Sequence, residues 1–302
     1  MNIKLSIAII TYNRCSQLLE AIESCCDCIL PEECEIVIVD NASTDNTEST
    51  IRLYMQNNPT RRIIYDKQKS NLGVGGGRAR AFELSSGKYV YFMDDDAVID
   101  PKHKDSFFMK SILIMDDDLS IASLTTAIHD VHFGDSRNCK NITDRIDSNG
   151  TFEVYRYNGG SHFLRKEVFD NPLYPSVKYA NEELIPSILA VDKGFRNVYY
   201  GGVQIIHKPI INKWNDKDTI DRINVQSISN KFALKALQYP IVFYPLLRLS
   251  FEIRCVKQLK GLPRGRQMAK DMAKDILTTN KVKRVSIRTI IKLYRKFGGQ
   301  VF

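Results

Sequence analysis

An apolar run, Tyr89-Val90-Tyr91-Phe92-Met93, ends directly on three aspartates, Asp94-Asp95-Asp96. The run reads as a buried strand. Carboxylates at the end of such a strand repel one another and lose solvation unless positive charge is supplied. A hard divalent cation meets that need, since it prefers oxygen ligands and shares them with substrate phosphates. The pattern predicts a sheet whose carboxyl edge holds a metal-bound phosphate compound, the edge where open α/β sheets take their ligands. Asp116-Asp117-Asp118 follows a helical-looking stretch instead, and reads as a solvated acidic loop.

The flanking sequence supports a sheet. Apolar runs at 5–10 (LSIAII), 36–39 (IVIV) and 62–65 precede 89–93, and helical-looking stretches separate them. Strands alternating with helices imply a mostly parallel sheet with right-handed crossovers. Ser43 or Thr44 is placed to cap the helix after the second strand. Residues 127–157 are polar and irregular, with weak alternation at 151–157; 182–193 reads as a helix ended by Gly194, and 198–200 and 203–206 as short strands. Beyond Lys217 the pattern is helical.

Four loops at strand ends carry chemistry. Thr11-Tyr12-Asn13-Arg14 offers a hydroxyl, a ring, an amide and a guanidinium, a set suited to a base and a diphosphate. In Asp40-Asn41-Ala42-Ser43-Thr44-Asp45, Asp40 is surplus to capping and free for a nucleobase edge or ribose. The loop at 71–80 (NLGVGGGRAR) combines glycines, which let backbone approach a ligand, with two arginines that favour a phosphate neighbour. It is neither a P-loop nor a dinucleotide fingerprint. The Asp triplet is the fourth.

These loops in this order resemble the family 2 inverting glycosyltransferases, which have the nucleotide-sugar-binding GT-A fold. The resemblance runs through "SIAIITYNR", "IVIVDNASTDNT", "NLGVGGGRARAFELSSGKYVYFMDDD", "GGSHFLRKEVFD", "YANEELIPSILAVDKGF" and "VQIIHK", or about residues 5–208. It implies a GT-A domain at 1–210, with a nucleotide-binding half (1–96) and an acceptor half (97–210), followed by a basic helical extension at 211–302. Thr11, Tyr12, Asn13, Arg14, Asp40, Asn41, Asn71, Gly73, Gly76 and Arg80 would hold the nucleotide sugar, with Asp94 and Asp95 beside it. Asp96 would bind Mn²⁺ or Mg²⁺, with Asp95 and His207 as further ligands. The catalytic base falls on Glu183 when the helix is aligned on Gly194-Phe195, with Glu182 next to it. His162 is a possible acceptor contact. The implied reaction is sugar transfer with inversion, from a UDP-sugar favoured by the full Asp triplet, to a glycan or lipid-linked acceptor in surface polysaccharide or glycolipid synthesis. Galactose, glucose, N-acetylhexosamine and galactofuranose donors stay open, and the sequence carries no signal for oligomeric state.

Charge is uneven. The chain carries +8 overall, yet 251–302 alone holds fourteen Lys/Arg and three Asp/Glu. A near-neutral body with a basic tail suggests an anionic surface as partner. Residues 217–261 read as one or two amphipathic helices broken at Pro240 and Pro245. Phe232, Leu234, Leu237, Ile241, Phe243, Tyr244, Leu246 and Leu247 form an apolar face suited to anionic lipid, or to packing back on the body. No nucleic-acid-binding motif accompanies the basic residues. The first residues do not read as a signal peptide, and the longest apolar stretch, 240–251, is shorter than the roughly 20 residues a bilayer needs. The seven cysteines, including the CxxC at Cys25–Cys28, show neither a disulfide framework nor a zinc set. Together these features predict a cytoplasmic protein held peripherally at the inner face of the membrane. Two other classes fit parts of the pattern. A sugar-phosphate nucleotidyltransferase would need glycines after the first strand, which 12–16 lacks, and a non-enzymatic basic membrane-binding adaptor would need no metal-dependent nucleotide site.

Overall fold

The computed structural model describes residues 3–135, 138, 142–210 and 217–302. Four parallel strands form its first half: β1 (Leu5–Thr11), β2 (Cys34–Asp40), β3 (Arg62–Lys67) and β4 (Tyr89–Asp94). Helices α1 (Cys15–Cys26), α2 (Thr47–Asn57) and α3 (Gly73–Leu84) connect them. Then follow β5 (Ala97–Ile99), α4 (Phe107–Asp117), β6 (Ile121–Asp130), β7 (Ile142–Ile146), β8 (Thr151–Val154), β9 (Ser161–Arg165), α5 (Leu184–Asp192) and β10 (Arg196–His207). All ten strands join one mixed sheet, ordered β3-β2-β1-β4-β9-β6-β10-β8-β7, with β5 on β10.

Side chains alternate across a strand, so the near-continuous apolar runs bury both faces. Ile7, Ile9, Ile38 and Tyr91 pack with α1 and α4, while Ala8, Val37, Val90 and Phe92 pack with α3 and α5. A third core lies beyond α5. There α6 (Lys217–Gln238), α7 (Tyr244–Gln258), α8 (Gly265–Thr279) and α9 (Ile287–Phe297) share apolar contacts with Leu184, Ile188 and Val191. The basic extension is thus fastened to the body: Gln238 donates to Ile185 O at 2.7 Å, and Asp192 accepts from Thr289 Oγ1 at 2.6 Å.

Several expectations change. Residues 121–130 are a full strand, missed because Ser and Thr dilute its apolar pattern. The two short strands at 198–206 are one, with a register shift between Tyr200 and Gln204. Ser43 and Thr44 do not cap α2, which starts at Thr47 after Asp45 accepts from Thr47 N at 3.1 Å. Pro245 sits in the first turn of α7, where its missing N–H costs nothing. Asp116 and Asp118 anchor the fold through Lys4 and Arg196 rather than sitting in a solvated loop. Phe232, Leu234 and Leu247 are buried in the third core, and Leu237 and Phe243 pack against it.

Candidate active site

The carboxyl ends of β1, β2 and β4 are aligned by register: Ile10 pairs with Asp94 and Thr11 with Asp40. This row lines a cleft of about 270 Å³ holding Thr11, Tyr12, Arg14, Asn41, Asn71 and Gly73 together with Asp94, Asp95, Asp96 and His207. His207 arrives from the far half of the chain. The antiparallel β5–β10 ladder sets it opposite Ala97, next to Asp96, and the β6–β10 ladder sets it opposite Asp130. Its Nε2 lies 3.1 Å from Asp96 Oδ1 and its Nδ1 2.8 Å from Asp130 Oδ2.

Within the triplet the roles divide. Asp95 accepts from Thr11 Oγ1 at 2.7 Å and Arg14 Nη1 at 2.8 Å, so it faces β1 and is not part of the metal-suited group. Burial pushes its carboxyl up to about 6 against the opposing Arg14 charge. Asp94 takes the expected place of Asp95: Asp94, Asp96 and His207 each offer a ligand atom within 4.8 Å of the others. Two carboxylates and an imidazole braced by a third carboxylate, Asp130, suit a divalent cation of the Mn²⁺ type. The residues therefore fit such an ion.

The other expected residues are placed as follows. Asn13, at φ 53°, folds back so that its Oδ1 accepts from Thr44 N at 2.8 Å and its N–H donates to Ser43 Oγ at 2.9 Å. Asp40 is buried, and its oxygens accept from Ser43 N at 2.7 Å and Tyr65 OH at 2.5 Å. It shapes this turn, while Asn41 reaches the cleft. The glycines at 73–77 are the first turns of α3, not a free loop, and they make room for protein: a Cβ on Gly75 would lie 2.0 Å from Pro175 O. Gly75→Ala is expected to destabilise the fold by about 1–3 kcal/mol, seen as a lower melting temperature; an unchanged melt would refute this packing role. Gly76 faces Leu72 and lies outside the cleft lining. Arg80 also lies outside, bound to Asp66 and Glu83. His162 is fully buried between Phe92 and Tyr157, and burial drives its pKa well down, so it does not face an acceptor.

Arg78 is the residue the sequence underrated. It is buried, and its guanidinium donates to Asp94 Oδ1 at 2.9 Å, to Gly159 O at 2.7 Å and to Glu182 Oε1. A side chain on Gly159 would strike it, since a Cβ there would sit 2.7 Å from Nη1. One cation thus ties the Asp triplet to the segment bearing the two glutamates. Arg78→Met would leave two carboxylates uncompensated, one of them buried, and is expected to cost about 3–5 kcal/mol. Arg78→Lys, which keeps charge but not the fork, should lose less; equal stability of Arg78→Met and the parent in denaturant would overturn the assignment.

The glutamates follow two residues in the left-handed region, Ala180 and Asn181, both at φ 67°. Such turns persist only when their surroundings hold them. Here α6 does so: Asn230 Nδ2 donates to Tyr179 O and Ala180 O at 2.6 and 2.7 Å, and Asn181 Nδ2 to Ser227 O at 3.2 Å. Glu182 is buried, its Oε2 has no hydrogen-bond partner among the described residues, and burial raises its carboxyl to about 7 against the pull of Arg78. Glu183 is the more accessible of the two and accepts from Arg156 Nη1 at 2.6 Å.

A cleft at the sheet edge, a carboxylate–imidazole group and paired acids in the turn before α5 lie together on a fold of the GT-A kind. The sequence model of Glycosyl transferase family 2 matches residues 6–171, and the chain belongs to that family. An uncharacterised glycosyltransferase of Methanocaldococcus jannaschii is 33% identical over 104 residues, 34% of this chain and 35% of that protein. S. aureus TarS 1-349 in complex with UDP-GlcNAc superposes with a TM-score of 0.61 at 18% identity, covering 96% of this chain and 83% of that one. The Pyrobaculum calidifontis mannosyltransferase PcManGT, in complex with GDP-Man and Mn²⁺, gives 0.59 at 15% identity, covering 97% and 79%. At these identities the structures show the shared fold. The curated relatives match over about a third of their length or less.

Proposed function

We propose that the protein is a metal-dependent inverting glycosyltransferase that moves a sugar from a UDP-sugar to a hydroxyl of a glycan or lipid-linked acceptor, in surface polysaccharide or glycolipid synthesis at the inner face of the membrane. The convergence of Asp94, Asp96 and His207 at a nucleotide-sized cleft carries this reading. Neighbours of the same fold, S. aureus TarS with UDP-GlcNAc and PcManGT with GDP-Man and Mn²⁺, support a nucleotide-sugar donor.

In this reading Thr11, Tyr12, Asn41, Asn71 and Gly73, which line the cleft, take the nucleoside, and Arg14, also in its lining, meets the charge of the diphosphate. Asp94, Asp96 and His207 would hold Mn²⁺ or Mg²⁺, which when bound neutralises charge growing on the departing diphosphate. Glu183 takes the proton from the acceptor hydroxyl. The hydroxyl oxygen forms a new bond to the anomeric carbon as the bond to the diphosphate breaks, and that electron pair leaves with UDP. Arg156 holds Glu183 in place, and Arg78 holds Glu182 and Asp94 so that acceptor and donor halves keep one geometry. Inversion needs one base and no covalent intermediate. Calorimetric titration of UDP with and without Mn²⁺ tests the reading: binding that requires the ion supports it, and absence of UDP binding in both conditions would sink it.

A further inference from the structure

Helices α7 and α9 carry more apolar surface than the core consumes. In α9, Ile290, Leu293 and Phe297 are buried in the third core. Beside them runs a second apolar stripe, Ile287, Ile291 and Tyr294, which are 50%, 42% and 51% exposed. In α7, Leu247, Phe251 and Cys255 are buried, whereas Leu249 and Val256 stand 57% and 65% exposed. Just before α7, Ile241 and Val242 are exposed as well. A surface helix normally has one apolar stripe and a polar remainder, and contiguous exposed apolar patches mark interaction sites.

The two extra stripes meet. They line a groove of about 670 Å³ whose walls include Leu249, Ile253, Ile291 and Tyr294, with Arg254 and Lys257 at its side. Beyond Ile291, the next face of α9 is a basic depression formed by Arg288, Lys292, Arg295 and Lys296; Lys296 is ion-paired with Glu153 of β8, so Arg288, Lys292 and Arg295 carry its outward charge. Helix α9 contains no acidic residue. The acid of α7, Glu252, lines neither depression and is engaged by Arg266 of α8 at 2.7 Å and by Arg248 at 3.3 Å. An apolar floor with a cationic rim is complementary to a surface of acyl chains under anionic headgroups. No helix among the described residues is long and apolar enough to cross a membrane, so such a surface would be met from the side.

We propose that the α7–α9 groove and the cationic row of α9 form the face that docks the protein on an anionic lipid bilayer. This face keeps Ile241, Phe243 and Leu246 of the sequence-predicted one, whereas Phe232, Leu234 and Leu247 are spent in the core. It deepens the peripheral membrane reading above, yet it is read without nucleotide, metal or acceptor, so its failure would leave the transfer chemistry untouched. Because α6 both supports the glutamate-bearing turn and packs on α7 through Phe232 and Phe251, the docking face and the acceptor side are parts of one packed unit.

The test is co-sedimentation of the full chain with phosphatidylcholine vesicles, alone and with about a third phosphatidylglycerol. The expected result is binding to the anionic vesicles that weakens as salt rises. Leu249→Asp/Ile291→Asp and, separately, Lys292→Glu/Arg295→Glu should each bind at least tenfold more weakly, with UDP titration unchanged. Failure of the parent chain to bind, equal binding to neutral vesicles, or variants that bind like the parent would overturn the proposal. So would a dimer in sedimentation velocity that the Leu249→Asp/Ile291→Asp variant dissolves without any vesicle binding, which would assign the groove to a second copy of this chain.

Discussion

Asp96→Ala is expected to abolish the metal-dependent part of UDP binding, a loss of roughly a hundredfold or more in affinity measured with Mn²⁺ present. Asp96 is the residue on which the site turns. Its Oδ2 accepts from Arg14 at 2.8 Å and its Oδ1 faces His207 Nε2 at 3.1 Å. Removing it would take away a proposed metal ligand and one acceptor from each neighbour, leaving Arg14 on Asp95 and His207 on Asp130. Asp130→Asn makes a graded companion, because Asp130 meets His207 through the far nitrogen, Nδ1, while its other oxygen accepts from His132 N at 2.9 Å. A loss of roughly 10–100-fold is expected there. If Asp96→Ala binds UDP with Mn²⁺ as the parent does, the Asp94–Asp96–His207 assignment fails. Both variants should be read by calorimetry rather than turnover, so that donor binding is separated from chemistry.

Glu183→Gln is expected to keep UDP binding and to lower transfer about 10²–10⁴-fold. The amide preserves shape and the contact with Arg156 but cannot accept the proton. Glu182→Gln is the control for the neighbouring acid. Glu182 is buried under Arg78, and the cost of replacing it should fall on stability as well as on rate, since the guanidinium loses one of its two charged partners, the other being Asp94. Normal transfer by Glu183→Gln together with a stable, inactive Glu182→Gln would move the base to Glu182, whose Oε2, without a partner among the described residues, would then be the accepting atom.

Much of the fold was legible because its signals are local. The apolar runs that became β1 to β4 and the helices between them follow from periodicity alone, and Gly194, at φ 92°, ends α5 as expected. The GT-A fold was legible from motif order. What failed locally did so for identifiable reasons. Strand β6 is built from Ser, Thr and Ala as much as from Ile and Leu, so its period is faint. The glycines at 73–77 read as a ligand loop, because the sequence does not say that residues 175–178 would come to lie against them.

The site divides along the same line. The Asp triplet at a strand end was determined by sequence alone: an apolar strand that runs straight into carboxylates must place them at a sheet edge. Tertiary structure decided which carboxylates act together. Asp94 and Asp96 project with His207 because β5 turns back against β10, a pairing about 110 residues away in sequence that no local pattern encodes. Arg78 rather than Arg80 reaches the acids because two residues on a helix differ by about 200° in direction, so one faces inward and the other outward; only the docking of α3 on the sheet fixes which. The same holds for the extension. Its basic, apolar composition was readable, but which apolar stripe enters the core and which remains outside depends on the packing of α6 to α9 on α5, because a helix's sequence defines its stripes and only its neighbours choose among them.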